Sequence, residues 1–234
     1  MKIITLPVFM LLAQFTCAQE RTIFIAADQY VSDAATPEKI YHYPQFTDGK
    51  IYFRNKTTSD ARLNYNYLNG EIEFITPGND TLAIAKEQML NIERVAIDTN
   101  TFFYNNGYLE LVAQNTVGKL LKKQMFDVVK REKIGGYDQP TSTSAIESYG
   151  SITQAYGEHA YNLKVRENIT LLLKINYYFG DQYHVMLPAN KKNIYKVYRS
   201  KKDLIDSYLK QNPVDFKKPE DLKKIFAFLG KEGS

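Results

Sequence analysis

The residues best suited to chemistry are scattered along this 234-residue chain. Its three histidines, His42, His159 and His184, lie far apart, and none belongs to a His-x-x-x-His or His-Glu-x-x-His pattern. The sequence therefore predicts no metal site and no cofactor. The most site-like group is Tyr41-His42-Tyr43, because aromatic rings beside an imidazole suit a sugar ring. We take these three residues as candidate ligand contacts, although exposed tyrosines are expected elsewhere in a chain with 18 of them.

Two carboxylates, Glu71 and Glu73, have a spacing that resembles a glycosidase pair. Strand geometry puts them about 7 Å apart, and glycosidases place two carboxyls roughly 5 to 9.5 Å apart across a cleft. At positions i and i+2 of one strand, however, we expect both on a solvated face. The chain also has no Gly-x-Ser-x-Gly elbow. We therefore expect no enzyme; a hydrolase would need groups such as His42, Glu158 and His159 to converge.

Short modification motifs add one further candidate. Asn55, Asn79 and Asn168 each begin an Asn-x-Ser/Thr sequon, which matters only in a eukaryotic secretory route. Asp80-Thr81-Leu82 resembles the Asp-Ser/Thr-aliphatic site of bacterial O-glycosylation and lies in a predicted turn. Thr81 is therefore a candidate acceptor for a glycan.

The first eighteen residues predict export. Lys2 precedes an apolar stretch from residue 3 to residue 15, which has about the length of the apolar h-region of a signal peptide and is too short for a stable membrane span. In Thr16-Cys17-Ala18-Gln19, small residues occupy the two positions that a signal peptidase reads. We therefore place cleavage between Ala18 and Gln19. A retained anchor or buried helix is the alternative. The mature chain is expected in the periplasm, on the outer surface or secreted, and not to span the membrane.

The only cysteine, Cys17, leaves with the signal. The mature chain can then form no disulfide, thiolate metal site or cysteine nucleophile. Lipidation of Cys17 is the alternative, but Gln14-Phe15-Thr16 matches a lipoprotein signal poorly.

Charge is divided unequally along the chain. Residues 19–188 contain 17 Lys and Arg against 20 Asp and Glu, a net charge of −3, whereas residues 189–234 contain 12 against 6, a net +6. Because an exported protein rarely meets nucleic acid, we expect no nucleic-acid partner. The basic block is either a solvated helix face or a surface for an anionic envelope component or polysaccharide.

Most of the mature chain is predicted to form an antiparallel sheet. Runs of five to eight residues alternate between polar and apolar and are bounded by Gly, Asn, Asp or Pro. The clearest unit, residues 63–85, predicts two hairpins, with a type I′ turn at Asn69-Gly70 and Glu71 and Glu73 on the wet face. Further strands are predicted over 49–54, 92–97, 101–104, 108–113 and 165–179, and a type II′ turn at Gly180-Asp181 leads into 182–187.

Two segments between these strands are harder to interpret. Residues 117–129 fit a helical stripe or a long strand, and we favour the strand because a helix cap is missing and Val128-Val129 is β-branched. Residues 135–158 are polar and lack periodicity, so they predict a loop that is either a mobile connector or a binding loop.

After Pro188 the apolar period becomes helical. We predict a helix over 190–199, a second opened by a capping box of Ser200 and Asp203, and a third from Pro219 to Gly230. The predicted fold is mainly β (α+β): an antiparallel meander sheet, a sandwich or partly closed barrel, with short C-terminal amphipathic helices. The domains are a cleaved signal peptide over 1–18, a β domain over 19–188 and a basic helical tail over 189–234 packed on it.

Several of these segments together resemble a group of exported Bacteroidota-type proteins of unknown function. They are the signal ending CAQ, the LNYNYLNGEIEFI and GNDTLAIA segments, the hairpin FFYNNGYLELV and the tail SKKDLIDSYLKQNPVDFKKPEDLKKIFAFL. The resemblance covers most of the mature chain. It implies an envelope location and a small β domain with a helical tail, and it implies no catalytic or ligand residues.

These observations favour a non-enzymatic structural or interaction module of the bacterial envelope. Its partner would be an envelope protein or polysaccharide contacted by the sheet face, the 135–158 loop or the basic tail. The alternative is a β-barrel that binds a small apolar ligand or glycan through tyrosines. An unidentified hydrolase is the third hypothesis. Strands that form a closed barrel around a Tyr-lined cavity would favour the second, and a filled core the first.

Overall fold

The chain folds around one antiparallel β-sheet that is not closed. The computed structural model describes residues 21–134, 140–141, 152 and 160–231. The described strands are β1 (Thr22–Ile25), β2 (Thr47–Phe53), β3 (Thr58–Asn66), β4 (Glu71–Ile75), β5 (Thr81–Ala83), β6 (Ile92–Ile97), β7 (Asn100–Tyr104), β8 (Tyr108–Asn115), β9 (Gly118–Ile134), β10 (Pro140–Thr141), β11 (Asn168–Gly180) and β12 (Met186–Pro188).

The strand order is β1-β11-β9-β8-β7-β6-β2-β3-β4-β5, with β10 paired to β9 and β12 paired to β11. Consecutive strands β6 to β9 form one meander, and β2 to β5 form a second that joins it where β2 pairs with β6. The two longest strands, β9 and β11, pair along the whole of β11. The predicted mainly antiparallel meander is therefore confirmed, and the sheet is open.

The helices are short and concentrate in the C-terminal part of the described chain. They are α1 (Val31–Ala34), α2 (Pro37–Ile40), α3 (Lys86–Met89), α4 (Lys191–Val197), α5 (Lys202–Gln211) and α6 (Pro219–Lys231), with 3₁₀ turns at Ala160–Asn162 and Arg199–Lys201. Helix α4 begins where the Asn190 side chain accepts a hydrogen bond from the Asn193 amide at 2.9 Å. Helix α6 begins with Pro219, as the sequence predicts.

The sheet curves strongly along its strand order. The amide of Phe126 in β9 donates to the carbonyl of Tyr67, just after β3, at 2.9 Å. The hydroxyl of Tyr65 in β3 donates to the carbonyl of Gln124 in β9 at 2.7 Å. Because four strands, β8, β7, β6 and β2, lie between β9 and β3 in the strand order, these two bonds bring distant strands face to face. The largest buried cluster fills the space inside this curve, with Leu63, Phe102 and Val128 among its members.

A second buried cluster joins the C-terminal helices to the sheet. Leu120 of β9 and Phe179 of β11 are fully buried against apolar side chains of α4, α5 and α6. The helix members are Ile194, Val197, Ile205, Leu222, Ile225, Phe226 and Leu229. Their spacing gives each short helix one apolar face, and packing of that face on the sheet stabilises helices that would be marginal alone. The division of the chain into domains stays a prediction.

The strand predictions were more accurate than the turn predictions. Residues 117–129 are strand, inside β9, as favoured. The type I′ turn at Asn69-Gly70 is wrong: the connection spans residues 67–70, and only Gly70 of that pair has positive φ. Tyr67 and Leu68 are buried there, and the Leu68 amide is bound by the Asn66 side chain at 2.8 Å. Burial of two apolar residues therefore replaces the expected two-residue turn.

Three other local predictions were also wrong. Gly180 ends β11 with negative φ, and the connection to β12 is the five-residue segment 181–185, in which His184 has φ +66°. Asp181 Oδ1 binds two amides of that segment and stabilises the wider loop. No capping box forms at Ser200, because residues 199–201 are a 3₁₀ turn leading into α5. Gly230 lies inside the last turn of α6 and does not end it.

Candidate functional site

The three residues of the predicted ligand cluster Tyr41-His42-Tyr43 are each bound within the fold, and their role as ligand contacts stays a prediction. Residue 41 forms a bridge to Asn66, so this segment runs along β3. The ring centroids of His42 and Tyr43 lie 4.4 Å apart, edge to face, whereas the ring of Tyr41 contacts Phe46. Tyr41 Oη donates to Glu73 Oε2 at 2.5 Å, and Tyr43 Oη donates to the carbonyl of Ile97 at 3.0 Å. Each side chain is at least half-buried and bound to the fold.

The predicted wet face of the β3–β4 hairpin is likewise wrong at Glu73. This side chain is buried, and its other oxygen, Oε1, accepts a hydrogen bond from Asn66 Nδ2 at 2.8 Å. The covering segment is held by Asn64, whose side chain binds both the amide and the carbonyl of Tyr43. Glu73 is therefore a structural carboxylate with two partners.

His42 is bound through both ring nitrogens. Tyr67 Oη lies 2.6 Å from Nδ1, and Asn100 Nδ2 lies 3.0 Å from Nε2. With the Asn100 amide in this orientation, Nε2 accepts and Nδ1–H donates to the Tyr67 oxygen, so the imidazole is neutral. Burial lowers the pKa of His42, and the negative charge of Glu110 opposes this. Burial also raises the pKa of Tyr67 to about 12, despite the nearby cation Arg21.

A buried polar layer separates the two apolar clusters. Along one face of β9 the alternate residues are Leu120, Lys122, Gln124, Phe126 and Val128, so two polar positions lie between the second cluster and the first. Glu110 of β8 accepts hydrogen bonds from both polar side chains, from Gln124 Nε2 at 2.9 Å and in an ion pair with Lys122 Nζ at 3.1 Å.

The chemical groups of this layer and of His42 are bound within the fold. Both carboxylate oxygens of Glu110 and both ring nitrogens of His42 have partners within the fold. A buried charge is tolerated when it is paired and hydrogen-bonded in this way. The arrangement holds the imidazole and the carboxylate in place by contacts within the fold. Glu158 and His159, the other predicted partners for catalysis, lie outside the described residues.

A cleft at the start of β9 has a different character. It has a volume of about 630 Å³ and lies where the turn between β8 and β9 meets the β11–β12 connection and the end of α4. Its walls are residues 116–117, 181–183, 185 and 196–201. We call this depression the basic cleft.

Two close approaches fix the cleft's inner wall. Gly118 has φ +149°, and a Cβ at this position would lie only 2.1 Å from the carbonyl oxygen of Gly180. Only glycine allows β9 and β11 to approach this closely. The buried hydroxyl of Tyr198 then donates to the carbonyls of Lys119 and Gly180, at 3.0 and 3.3 Å, and ties the end of α4 to both strands.

The basic cleft has an excess of positive charge. Lys196, Arg199 and Lys201 line it, and its one acid is Asp181. Asp181 Oδ1 already accepts the amides of Tyr183 and Val185, at 2.8 and 2.9 Å. Within the described part of the chain the three cations form no ion pair, although Arg199 Nε donates to the carbonyl of Lys196 at 3.3 Å. Their charges are therefore available to a ligand.

The mouth of the basic cleft also exposes apolar surface. Tyr183 is 76% exposed and Val185 is 46% exposed. The adjacent His184 has a lowered pKa, mainly through desolvation and also through the cations Lys119 and Arg54. The cleft therefore combines positive charge with an aromatic ring, on a backbone that Asp181 holds in place.

A second depression, of about 600 Å³, contains both positive and negative side chains. It lies on β2, β3 and β6 and contains Asp48, Asp60 and Asp98 together with Lys50 and Arg62. Lys50 Nζ is already paired with Asp60 Oδ1 at 3.2 Å. Neither a cation nor an anion is favoured strongly here.

The remaining predicted positions contribute no site geometry. Thr81 is exposed at the start of β5, a position that leaves its hydroxyl accessible. Ala18 and Gln19 lie outside the described residues, as does most of the predicted 135–158 loop.

In the described ranges no group of three or more His, Cys, Asp or Glu is arranged to hold a metal ion. No helix in those ranges is long and apolar enough to cross a membrane.

Comparison with protein-family models, curated proteins and solved structures finds no match to this chain. Sequence reasoning missed the basic cleft as a site, because its walls come from three separate segments. One signal for it was present: the net +6 of residues 189–234, of which Lys196, Arg199 and Lys201 are part.

Proposed function

We propose that the protein is a non-enzymatic, exported interaction module of the bacterial envelope that holds an anionic envelope component in the basic cleft. The observation that carries the proposal is the set of three cations, Lys196, Arg199 and Lys201, without ion-pair partners among the described residues. Export and envelope location rest on the signal-like N-terminus and on the resemblance to exported proteins.

The basic cleft contains more positive than negative charge. A cleft with low-dielectric walls and charges of one sign concentrates the field and attracts an oppositely charged ligand. Asp181 does not neutralise the three cations, because it supplies one negative charge against three positive ones and, among the described residues, forms no ion pair with them. An anionic ligand would therefore gain ion pairs without displacing existing ones.

The alternative function, a barrel that encloses a small apolar ligand or glycan, has less support. The sheet is not closed, and the space inside its curve is occupied by buried side chains such as Tyr65, Phe102 and Phe126. Binding at the surface is favoured over binding in an interior cavity. A hydrolase has less support still, because the His42 imidazole is hydrogen-bonded to Tyr67 and Asn100 and the Glu110 carboxylate to Gln124 and Lys122.

Binding of an anionic polysaccharide to the mature protein tests the proposal. The variant K196Q/R199Q/K201Q removes the three charges of the basic cleft. The matched control K217Q/K218Q/K223Q removes three exposed charges from the same basic part of the chain, outside the cleft. Polygalacturonate and alginate serve as probes in biolayer interferometry. Binding is measured at about 50 and about 200 mM salt, because the Debye length of electrostatic screening falls markedly over this range.

We expect the cleft variant to bind at least about tenfold more weakly, a change of about 1.4 kcal/mol, while the control stays within about twofold of the unmodified protein. Circular dichroism melting checks that both variants are folded. Equal losses in both variants would mean diffuse attraction to the whole basic region, and would overturn the proposed site. Unchanged binding in the cleft variant would do the same.

A further inference from the structure

We infer that the anionic component is an acidic saccharide, whose ring stacks on Tyr183 while its acid group pairs with the cations of the basic cleft. This inference rests on the proposed function and adds the chemical class of the ligand. It is carried by the position of an exposed aromatic ring beside Lys196, Arg199 and Lys201 in the same cleft.

The exposure of Tyr183 is the first step. Its side chain is 76% exposed, the highest value among the exposed large hydrophobic residues of the described chain. Tyrosine combines a large apolar face with a polar hydroxyl, and such rings recur where one side of a contact is apolar and the other wet. The ring adds little to the core in this position, so a role in binding accounts for it better than a role in folding.

The second step is that the backbone carrying this ring is held in place. Asp181 Oδ1 accepts the Tyr183 amide at 2.8 Å and the Val185 amide at 2.9 Å, and the Asp181 amide donates to the Val185 carbonyl at 3.1 Å. His184 takes the left-handed conformation that closes the loop. A ring on a backbone fixed by three hydrogen bonds loses less entropy on binding than one on a free loop.

The third step compares possible ligands with the two surfaces. A pyranose has a flat face of C–H groups that suits the ring of Tyr183, and a uronic acid or sulfated sugar adds an anion for Lys196, Arg199 or Lys201. The guanidinium of Arg199 can bind a carboxylate through two parallel hydrogen bonds. A neutral sugar would leave the cations unused, and an inorganic polyanion would leave the ring exposed. The cleft volume of about 630 Å³ lies within the usual range for small-ligand sites.

The experiment uses the mature protein and four probes: a trigalacturonate oligomer, the uncharged galactose oligomer of equal length, inorganic polyphosphate and a nucleoside diphosphate. The variants are Tyr183→Ala, which removes the ring, and Tyr183→Phe, which keeps it. Tyr30→Ala is the matched control, because Tyr30 is also exposed and lies beside α1, outside the cleft. K196Q/R199Q/K201Q reports on the charges.

Isothermal titration gives affinities, and saturation-transfer difference NMR reports which sugar protons approach an aromatic ring. We expect Tyr183→Ala to weaken trigalacturonate binding about three- to tenfold, the range typical of an aromatic contact, and to remove the saturation transfer. Tyr30→Ala should bind as the unmodified protein does, and Tyr183→Phe, which keeps the ring, should retain the saturation transfer. Polyphosphate binding should fall in the cation variant and stay unchanged in Tyr183→Ala.

The results separate this inference from the proposed function. If the cation variant loses binding while Tyr183→Ala retains full trigalacturonate affinity, the anion site stands and the saccharide inference is overturned. Equal binding of the uncharged oligomer, tighter binding of the nucleotide, or an equal loss of polyphosphate binding in Tyr183→Ala would also overturn it. If the cation variant binds every anion normally, the proposed function itself fails.

Discussion

The phenol of Tyr41 donates a hydrogen bond of 2.5 Å to Oε2 of the buried Glu73, which lies 32 residues further along the chain. Both residues looked functional or solvated in the sequence, one as a ligand contact and the other on the wet face of a hairpin. Their contact with each other gives both a structural role. Burial and the Glu73 carboxylate raise the pKa of Tyr41, so its hydroxyl stays protonated and continues to donate.

Removal of this hydroxyl should destabilise the fold. In Tyr41→Phe, Glu73 Oε2 loses its donor in a buried setting, and an unsatisfied buried acceptor costs about 1–3 kcal/mol. We expect the free energy of unfolding, measured by urea denaturation, to fall by that amount. Tyr183→Phe is the control, because its ring is largely exposed; its unfolding free energy should be unchanged. A Tyr41→Phe protein as stable as the unmodified one would show that solvent replaces the phenol at Glu73.

The strands could be predicted from sequence because their signal is local. Alternation of polar and apolar residues and bounding turn residues are visible within ten positions, and β6 has the predicted bounds of residues 92–97. The helix at Pro219 was found for the same reason. What failed depends on partners far along the chain. Glu73 is buried because residues 41–43 cover it, and no pattern near Glu73 reveals that cover.

The candidate sites also depend on contacts between residues far apart in sequence, which local patterns do not reveal. Tyr41, His42 and Tyr43 are adjacent in sequence, but their hydrogen-bond partners, Glu73, Tyr67 and the carbonyl of Ile97, are distant in sequence and could not be predicted from it. The basic cleft is the reverse case, since Asp181, Tyr183 and Arg199 meet only after β11 has returned beside β9 and α4 has docked. Residues adjacent in sequence suggested one candidate site, and the walls of the basic cleft, which are far apart in sequence, could not be grouped before the fold was known.

Protonation of His42 should weaken the fold as the pH falls. Its pKa in the folded protein lies below the ordinary value of 6.5, mainly through burial, and Lys122 and Arg21 lower it further. The unfolded chain therefore takes up the proton first, and stability is lost as the pH falls from about 6.5 through the lower folded-state pKa. Above that range both states are neutral and His42 adds no pH dependence.

The variant His42→Asn isolates this effect, because its amide can still bind the Tyr67 hydroxyl and carries no titrating proton. We expect the unfolding free energy of the unmodified protein to fall more steeply with acid than that of His42→Asn. His184 and the carboxylates titrate in both proteins and cancel in the difference. Urea denaturation at a series of pH values measures it. Parallel pH profiles would mean that His42 is as readily protonated folded as unfolded.

Gly118 should tolerate no side chain. In Gly118→Ala the new Cβ would lie 2.1 Å from the Gly180 carbonyl, at a backbone φ of +149° that L residues rarely adopt. Strain of this kind costs about 1–3 kcal/mol, and the clash adds to it, so we expect a loss of at least about 2 kcal/mol in unfolding free energy. The hydrogen bonds of Tyr198 to β9 and β11 should weaken too, since the two strands must separate.

Gly78→Ala is the matched control for this substitution. Its new Cβ would meet nothing closer than 3.4 Å, and the position lies in the turn before β5. Its unfolding free energy should therefore change by less than about 0.5 kcal/mol. Equal losses at Gly78 and Gly118 would contradict a specific close approach of β9 and β11.

Phe226 should couple the C-terminal helices to the sheet. It is buried in the cluster that contains Leu120 and Phe179 of the sheet, and its carbonyl accepts a hydrogen bond from Asn115 Nδ2 of β8 at 2.9 Å. Phe226→Ala removes a large buried side chain, which typically costs about 3–5 kcal/mol. Lys223→Ala, on the exposed side of the same helix, should cost less than about 0.5 kcal/mol.

Phe226→Ala also tests whether the C-terminal helices and the sheet unfold together. Because sheet and helix side chains share one cluster, disruption of the helix should lower the stability of both together. Helical circular dichroism and tyrosine fluorescence should then report one coincident unfolding transition, shifted to lower urea in the variant. If the helical signal were lost first while the sheet unfolded at its original midpoint, the tail would be an independent unit. The basic cleft, whose walls come from both the sheet and the end of α4, would then open without loss of the β domain.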